Sequence, residues 1–243
     1  MSLVTATRAQ NPMPTGFLDL PYELRHRIYC HCIPRRKQVD VQLLFPGLSY
    51  DSYMEGGFLR LSKQIAEECL DILYGENIFR LCLNGKGEYY MRNNFTEKNR
   101  HRMRYLIVTA DPAGVSYERS TPDDSLWATI LPRLKCLLLI AEQPIQARRY
   151  YDAPTLRQDI DTWLAWIRPY LESFGQHIPE PLSVTVDDDD RKETRELVQK
   201  YLPPSCRLKR SALGDFLFRR GRFSIESGYW DDCYDGPTSS QDV

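Results

Sequence analysis

Two short stretches carry side chains that could bind a metal ion. Cys30, His31 and Cys32 offer thiol and imidazole ligands for zinc, and residues 187–190 are four consecutive aspartates. The first stretch lacks a second ligand pair at the spacing of a structural zinc site, and the aspartates lack the glycine-bracketed loop of a calcium site. We therefore predict neither a metal nor a cofactor. We interpret the aspartates as a solvated run in which Asp190 caps the following helix.

Catalytic groups show no recognisable arrangement. None of the four histidines adjoins a plausible nucleophile, and neither a Gly-x-Ser-x-Gly elbow nor a phosphate-binding Gly-Lys-Ser/Thr loop occurs. We interpret Gly85-Lys86-Gly87 as a hairpin-like turn after a strand. The sequence therefore predicts a protein that is not an enzyme. The histidines are His26, His31, His101 and His177.

Charge is balanced along the chain, with 32 lysines and arginines against 33 acidic residues and a net charge of -1. Basic clusters at residues 35–37, 98–104 and 219–222 could contact phosphates, and Phe218 and Phe223 flank the last of them. We interpret these clusters as solvated faces paired with nearby acids. We therefore expect neither nucleic acid nor a membrane as a partner.

Seven scattered cysteines, an odd number, fit reduced core thiols better than a disulfide framework. The first residues contain no apolar run of signal-peptide length, and no stretch is long and apolar enough to span a bilayer. We expect a soluble protein of the cytoplasm or nucleus, with a flexible leader at residues 1–16 and a polar tail at residues 231–243.

A helix is predicted to begin near Pro21, because proline suits the first helical position. Its apolar residues recur every four positions, which predicts one apolar stripe with Arg25 and His26 mainly off it. Alternation predicts a short strand over residues 39–43. Ser62 is predicted to cap a second helix that ends at Gly75. The apolar residues that recur at this spacing are Leu20, Leu24, Ile28 and Cys32.

Short aliphatic runs alternate with helical segments in the rest of the chain. The runs at residues 104–109, 135–141 and 182–186 are typical of strands covered on both faces, and the intervening helices favour a parallel sheet. Long helices are predicted over residues 155–174 and 190–202. The fold class is therefore α/β, with α+β as the alternative, and the spacing favours an irregular, leucine-rich-repeat-like body.

Two motifs carry a resemblance to a family. The segment FLDLPYELRHRIYCHCIP is followed by FLRLSKQIAEECLDILYGENIFRL, and together they resemble the F-box-like domains of a large group of fungal proteins. The resemblance implies an N-terminal helix that binds the Skp-type adaptor of a cullin-RING ubiquitin ligase, with a downstream region that binds a protein substrate. The residues that would contact the adaptor are Leu20, Pro21, Leu24 and Ile28.

The expected organisation is an F-box-like region over residues 17–83, packed on a strand-helix body over residues 84–230 that binds the substrate. Two alternatives to an F-box-like ligase adaptor stay open. The chain could be a stand-alone interaction scaffold of the same fold whose first helix packs onto its own core, since amphipathic stripes usually do. An unrecognised enzyme is the third hypothesis, and a pocket with strongly shifted titratable groups would favour it.

Overall fold

The computed structural model describes residues 16–41, 57–83, 86–110, 121–143, 153–188 and 190–208. In these ranges helices alternate with strands in an α/β arrangement, as predicted. The helices are α1 (Tyr22–Cys32), α2 (Lys63–Gly75), α3 (Gly87–Asn94), α4 (Glu97–Arg100), α5 (Asp124–Ile130), α6 (Ala153–His177) and α7 (Lys192–Tyr201). The strands are β1 (Gln38–Asp40), β2 (Ile78–Cys82), β3 (Tyr105–Ala110), β4 (Cys136–Ala141), β5 (Ser183–Asp187) and β6 (Arg207–Leu208).

One parallel sheet contains all six strands, and their spatial order β1-β2-β3-β4-β5-β6 is the order of the chain. In the centre of the sheet Leu106 lies beside Leu137 and Val108 beside Leu139. Every residue of β3 and β4 is buried, which confirms that the continuous aliphatic runs form strands covered on both faces.

Helix boundaries follow local capping chemistry. Ser62 accepts a hydrogen bond from the amide of Ile65 at the start of α2, and α2 ends at Gly75, so both predictions for this helix are confirmed. The carboxylate of Asp123 accepts from the amide of Leu126 and begins α5 in the same way. None of the described helices combines the length and the apolar character needed to cross a membrane.

A single hydrophobic core extends from Tyr29 on α1 to Leu202 after α7. Its largest fully buried side chains include Trp127 of α5 and Trp163 of α6. Described residues on both sides of position 84 thus contribute to the same core. Other buried members are Phe79, Phe95, Leu106, Leu137, Tyr170, Phe174 and Val186.

Some local predictions were wrong. Gly87 is the first residue of α3, and β2 pairs in parallel with β3, so the residues after β2 lead into a helix and not into a hairpin. Gly85 and the end of the predicted strand over residues 39–43 lie outside the described residues. Pro21 precedes α1 and occupies its N-cap position, one residue earlier than predicted.

The aspartate run is also not the solvated helix cap that we predicted. Arg191 occupies the N-cap position of α7, while Asp187 and Asp188 are buried. Asp188 accepts a hydrogen bond from the guanidinium of Arg195 at 2.7 Å, and Asp190 accepts another at 2.9 Å. Arg195 neutralises the carboxylate of Asp188, which accounts for the burial of this side chain.

Candidate partner-binding surface

The two sides of α1 have opposite environments. Leu24 and Ile28 are exposed, at 45% and 43%, whereas Arg25 and Tyr29 on the neighbouring row are buried. Pro21 is also exposed, and Leu20 is half-buried. The four residues of the predicted adaptor contact, Leu20, Pro21, Leu24 and Ile28, are called the α1 stripe below.

Exposed apolar side chains concentrate around this stripe. Within the described ranges seven large apolar side chains are exposed, and four of them lie between residues 18 and 28. Leu24 and Ile28 are four residues apart and share one face of α1, whereas Leu18 precedes the helix and Tyr22 lies on another face, beside His26. Single exposed apolar residues are ordinary on protein surfaces, but neighbouring ones on one helix face can form an interaction site.

A hydrogen-bonded network on the inner side fixes the rotation of α1. The guanidinium of Arg25 donates to both carboxylate oxygens of Glu68 on α2, at 3.0 and 2.6 Å, and the Tyr29 hydroxyl donates to the same carboxylate at 2.8 Å. Arg25 also donates to the backbone carbonyls of Leu18 and Leu20, and so closes the turn before the helix. Because this row faces α2, the adjacent row of Leu24 and Ile28 faces outward.

Glu68 is the electrostatic centre of this network. Hydrogen bonding from Arg25 is the main cause that lowers the pKa of Glu68 to about 2, and Gln64 and Tyr29 contribute hydrogen bonds as well. Burial and the adjacent carboxylate raise the pKa of Tyr29, so its hydroxyl remains a donor. The ring of Phe17 packs edge-on against Tyr29 with a centroid distance of 5.6 Å. The network therefore persists as a charged, hydrogen-bonded unit at neutral pH.

Asn77 attaches the chain after α1 to the end of α2. Its side-chain amide donates to the carbonyls of Pro34 and Leu73, at 2.9 and 2.7 Å, and its side-chain oxygen accepts from the amide of Lys37 at 2.8 Å. Asn77 is fully buried, and all three bonds satisfy backbone groups. Asn77 thus supports the segment that leads from α1 into β1.

The basic cluster at residues 98–104 is largely engaged within the protein. Arg102 pairs with Glu67 and Asp71, and Lys98 pairs with Glu67 at 2.5 Å. The guanidinium of Arg100 is buried and donates to backbone carbonyls. Such contacts fit our interpretation of paired charges. The cluster at residues 219–222 lies outside the described residues.

One group of functional side chains was missed by the sequence analysis. The imidazole of His26 lies beside the thiol of Cys30, with Nδ1 at 3.6 Å from Sγ, and its Nε2 lies 3.6 Å from Oε1 of Glu76. A nucleophile, a base and a carboxylate are therefore close together, contrary to our expectation. Burial, however, raises the pKa of Cys30, which disfavours the thiolate that nucleophilic catalysis requires. His31 and Cys32 are exposed outside this group.

The chain matches no protein-family model, and no curated protein or solved structure matches it either.

Proposed function

We propose that this protein is an F-box-like adaptor that binds a Skp-type protein through the α1 stripe and acts as a substrate receptor of a cullin-RING ubiquitin ligase. The observation that carries the proposal is the exposure of Leu24 and Ile28 on a helix whose adjacent row, Arg25 and Tyr29, is anchored to α2. The motif around Leu20 and Pro21 supplies the resemblance, and the exposed stripe supplies a surface on which a partner can dock.

Burial of Leu24 and Ile28 would contribute part of the binding free energy of such docking. A helix that binds in an apolar groove needs side chains on one face at intervals of three or four residues, and Leu24 and Ile28 meet that requirement. Each is a little under half exposed, so complete burial by a partner would contribute about 1 kcal/mol per side chain. The network of Arg25, Tyr29 and Glu68 holds the helix in its binding orientation beforehand, which lowers the entropic cost of association.

The body over residues 84–230 is the part that we propose selects the substrate. Strands that follow one another in space as they do in sequence are the arrangement of solenoid proteins, which present extended surfaces to protein partners. This order supports the leucine-rich-repeat-like interpretation. An adaptor contact at the N-terminal helix leaves such a surface accessible for a second protein.

Pull-down of the full-length chain with a purified Skp-type adaptor tests the proposal. We expect the wild-type chain to bind and Leu24→Asp and Ile28→Asp each to lower the affinity by roughly tenfold or more, because each places a charge in an apolar contact. Binding should be quantified by calorimetry or surface plasmon resonance.

Leu208→Asp is the matched control, since Leu208 has a similar exposure of 39% but lies on β6, at the other edge of the sheet from β1. It should bind like the wild type. Absent binding in the wild type, or α1 variants that bind as tightly as the wild type, would contradict adaptor recruitment. A folded chain with no adaptor affinity would favour the stand-alone interaction scaffold.

A further inference from the structure

We propose that His26, Cys30 and Glu76 form a binding site for one zinc-like divalent cation between α1 and the end of α2. The three residues come from two separate segments of the chain and offer one nitrogen, one sulfur and one oxygen ligand. This combination suits zinc, which accepts all three ligand types in a single tetrahedral site.

The distances match those that a tetrahedral ion requires. Zinc bonds to nitrogen, sulfur and oxygen imply that ligand atoms lie about 3.3–3.6 Å from one another. Here the Nε2 of His26 is 3.9 Å from the Sγ of Cys30 and 3.6 Å from the Oε1 of Glu76. All three ligand atoms lie within 4.8 Å of one another, so an ion could be bound with only small side-chain adjustments.

The helix geometry accounts for this proximity. His26 and Cys30 are four residues apart on α1, a spacing that places two ligands on the same face, as in helical zinc sites. Glu76 follows the last residue of α2, where the chain turns towards β2. All three side chains are half-buried, which limits solvent competition yet leaves access for an ion and for a water molecule as fourth ligand.

Arg35 sets the orientation of the carboxylate. Its guanidinium pairs with Oε2 of Glu76, the oxygen that does not face His26. Hydrogen-bond partners of this kind orient metal ligands. Arg35 also lies near Cys30. On the other side, the ring of Tyr22 packs against the imidazole of His26 at a centroid distance of 5.6 Å.

Titration of the full-length chain with Co²⁺ tests the site. We expect one ion per chain, with the near-ultraviolet charge-transfer band of a cobalt thiolate and the visible bands of a tetrahedral ion. Cys30→Ser should remove the charge-transfer band, and Glu76→Gln should weaken binding roughly 10–100-fold. Cys32→Ser and His31→Ala are matched controls on the same helix, and both should bind like the wild type.

A second measurement needs no variant. Zn²⁺ should slow alkylation of Cys30 in the wild-type chain while leaving the rate at exposed Cys32 unchanged, as quantified by tandem mass spectrometry. The proposal is overturned if the wild type lacks the cobalt thiolate band, if zinc fails to protect Cys30, or if Cys32→Ser abolishes binding. Equal affinity in all ligand variants would indicate adventitious binding only and would likewise overturn it.

Discussion

The Trp127→Ala chain is expected to lose about 3–5 kcal/mol of its unfolding free energy. Trp127 is fully buried, and its ring packs edge-on against Phe174 of α6 with a centroid distance of 4.6 Å. Its indole Nε1 donates to Oε1 of Glu88 on α3 at 2.5 Å. Truncation therefore leaves a large cavity where three helices meet. Urea denaturation followed by circular dichroism measures the loss.

Trp127→Phe separates packing from hydrogen bonding in this prediction. The phenyl ring retains much of the contact with Phe174, but the carboxylate of Glu88 loses its indole donor. Burial raises the pKa of Glu88, so the carboxylate depends on its remaining donors, the amide of Asp123 and the hydroxyl of Tyr170. We expect a loss of about 1–3 kcal/mol for this variant. A smaller loss for alanine than for phenylalanine would contradict the packing argument.

Glu68→Gln is expected to lower the unfolding free energy by about 1.5–3 kcal/mol at neutral pH. The substitution keeps the shape of the side chain but replaces the charged acceptor of Arg25 and Tyr29. Since this carboxylate anchors α1, amide hydrogen exchange over residues 22–32 should accelerate in the variant. The affinity for the adaptor should also fall in this variant, because the α1 stripe loses its fixed orientation.

The stability difference between wild type and Glu68→Gln depends on pH with a definite sign. The pKa of Glu68 in the folded protein, about 2, lies below its ordinary value of 4.5. The stabilisation is therefore fully present above about pH 5 and is lost as the pH falls towards 2. Denaturant titrations of both chains across this range should converge at the acidic end. Glu67→Gln is the matched control, because Glu67 pairs with Lys98 and Arg102 and should leave exchange in α1 unchanged.

Local sequence patterns were sufficient for the central strands of the sheet and for both ends of α2. The aliphatic runs that became β3 and β4 have no polar interruption, and Ser62 caps α2 through an interaction that spans only three residues. Both features depend on neighbours in the chain, so a sequence shows them directly.

The rotation of α1 could not be predicted from its own residues. Two adjacent rows on α1 compete for the buried side: Leu24 with Ile28, and Arg25 with Tyr29. Judged by apolar character alone, the row of Leu24 and Ile28 would be the one buried. The outcome depends on Glu68, which lies 43 residues after Arg25 in the chain. The approach of Glu76 to His26 is equally non-local, and for this reason the cluster with Cys30 was missed.

The strand order also has a consequence for synthesis on the ribosome. Each strand after β1 hydrogen-bonds to the strand that was translated just before it, so the sheet can be extended stepwise as the nascent chain emerges. Among the described strands, each can therefore pair as soon as it has been synthesised, without a partner from later in the chain. The α1 stripe emerges before these strands, and its orientation is fixed once α2 delivers Glu68.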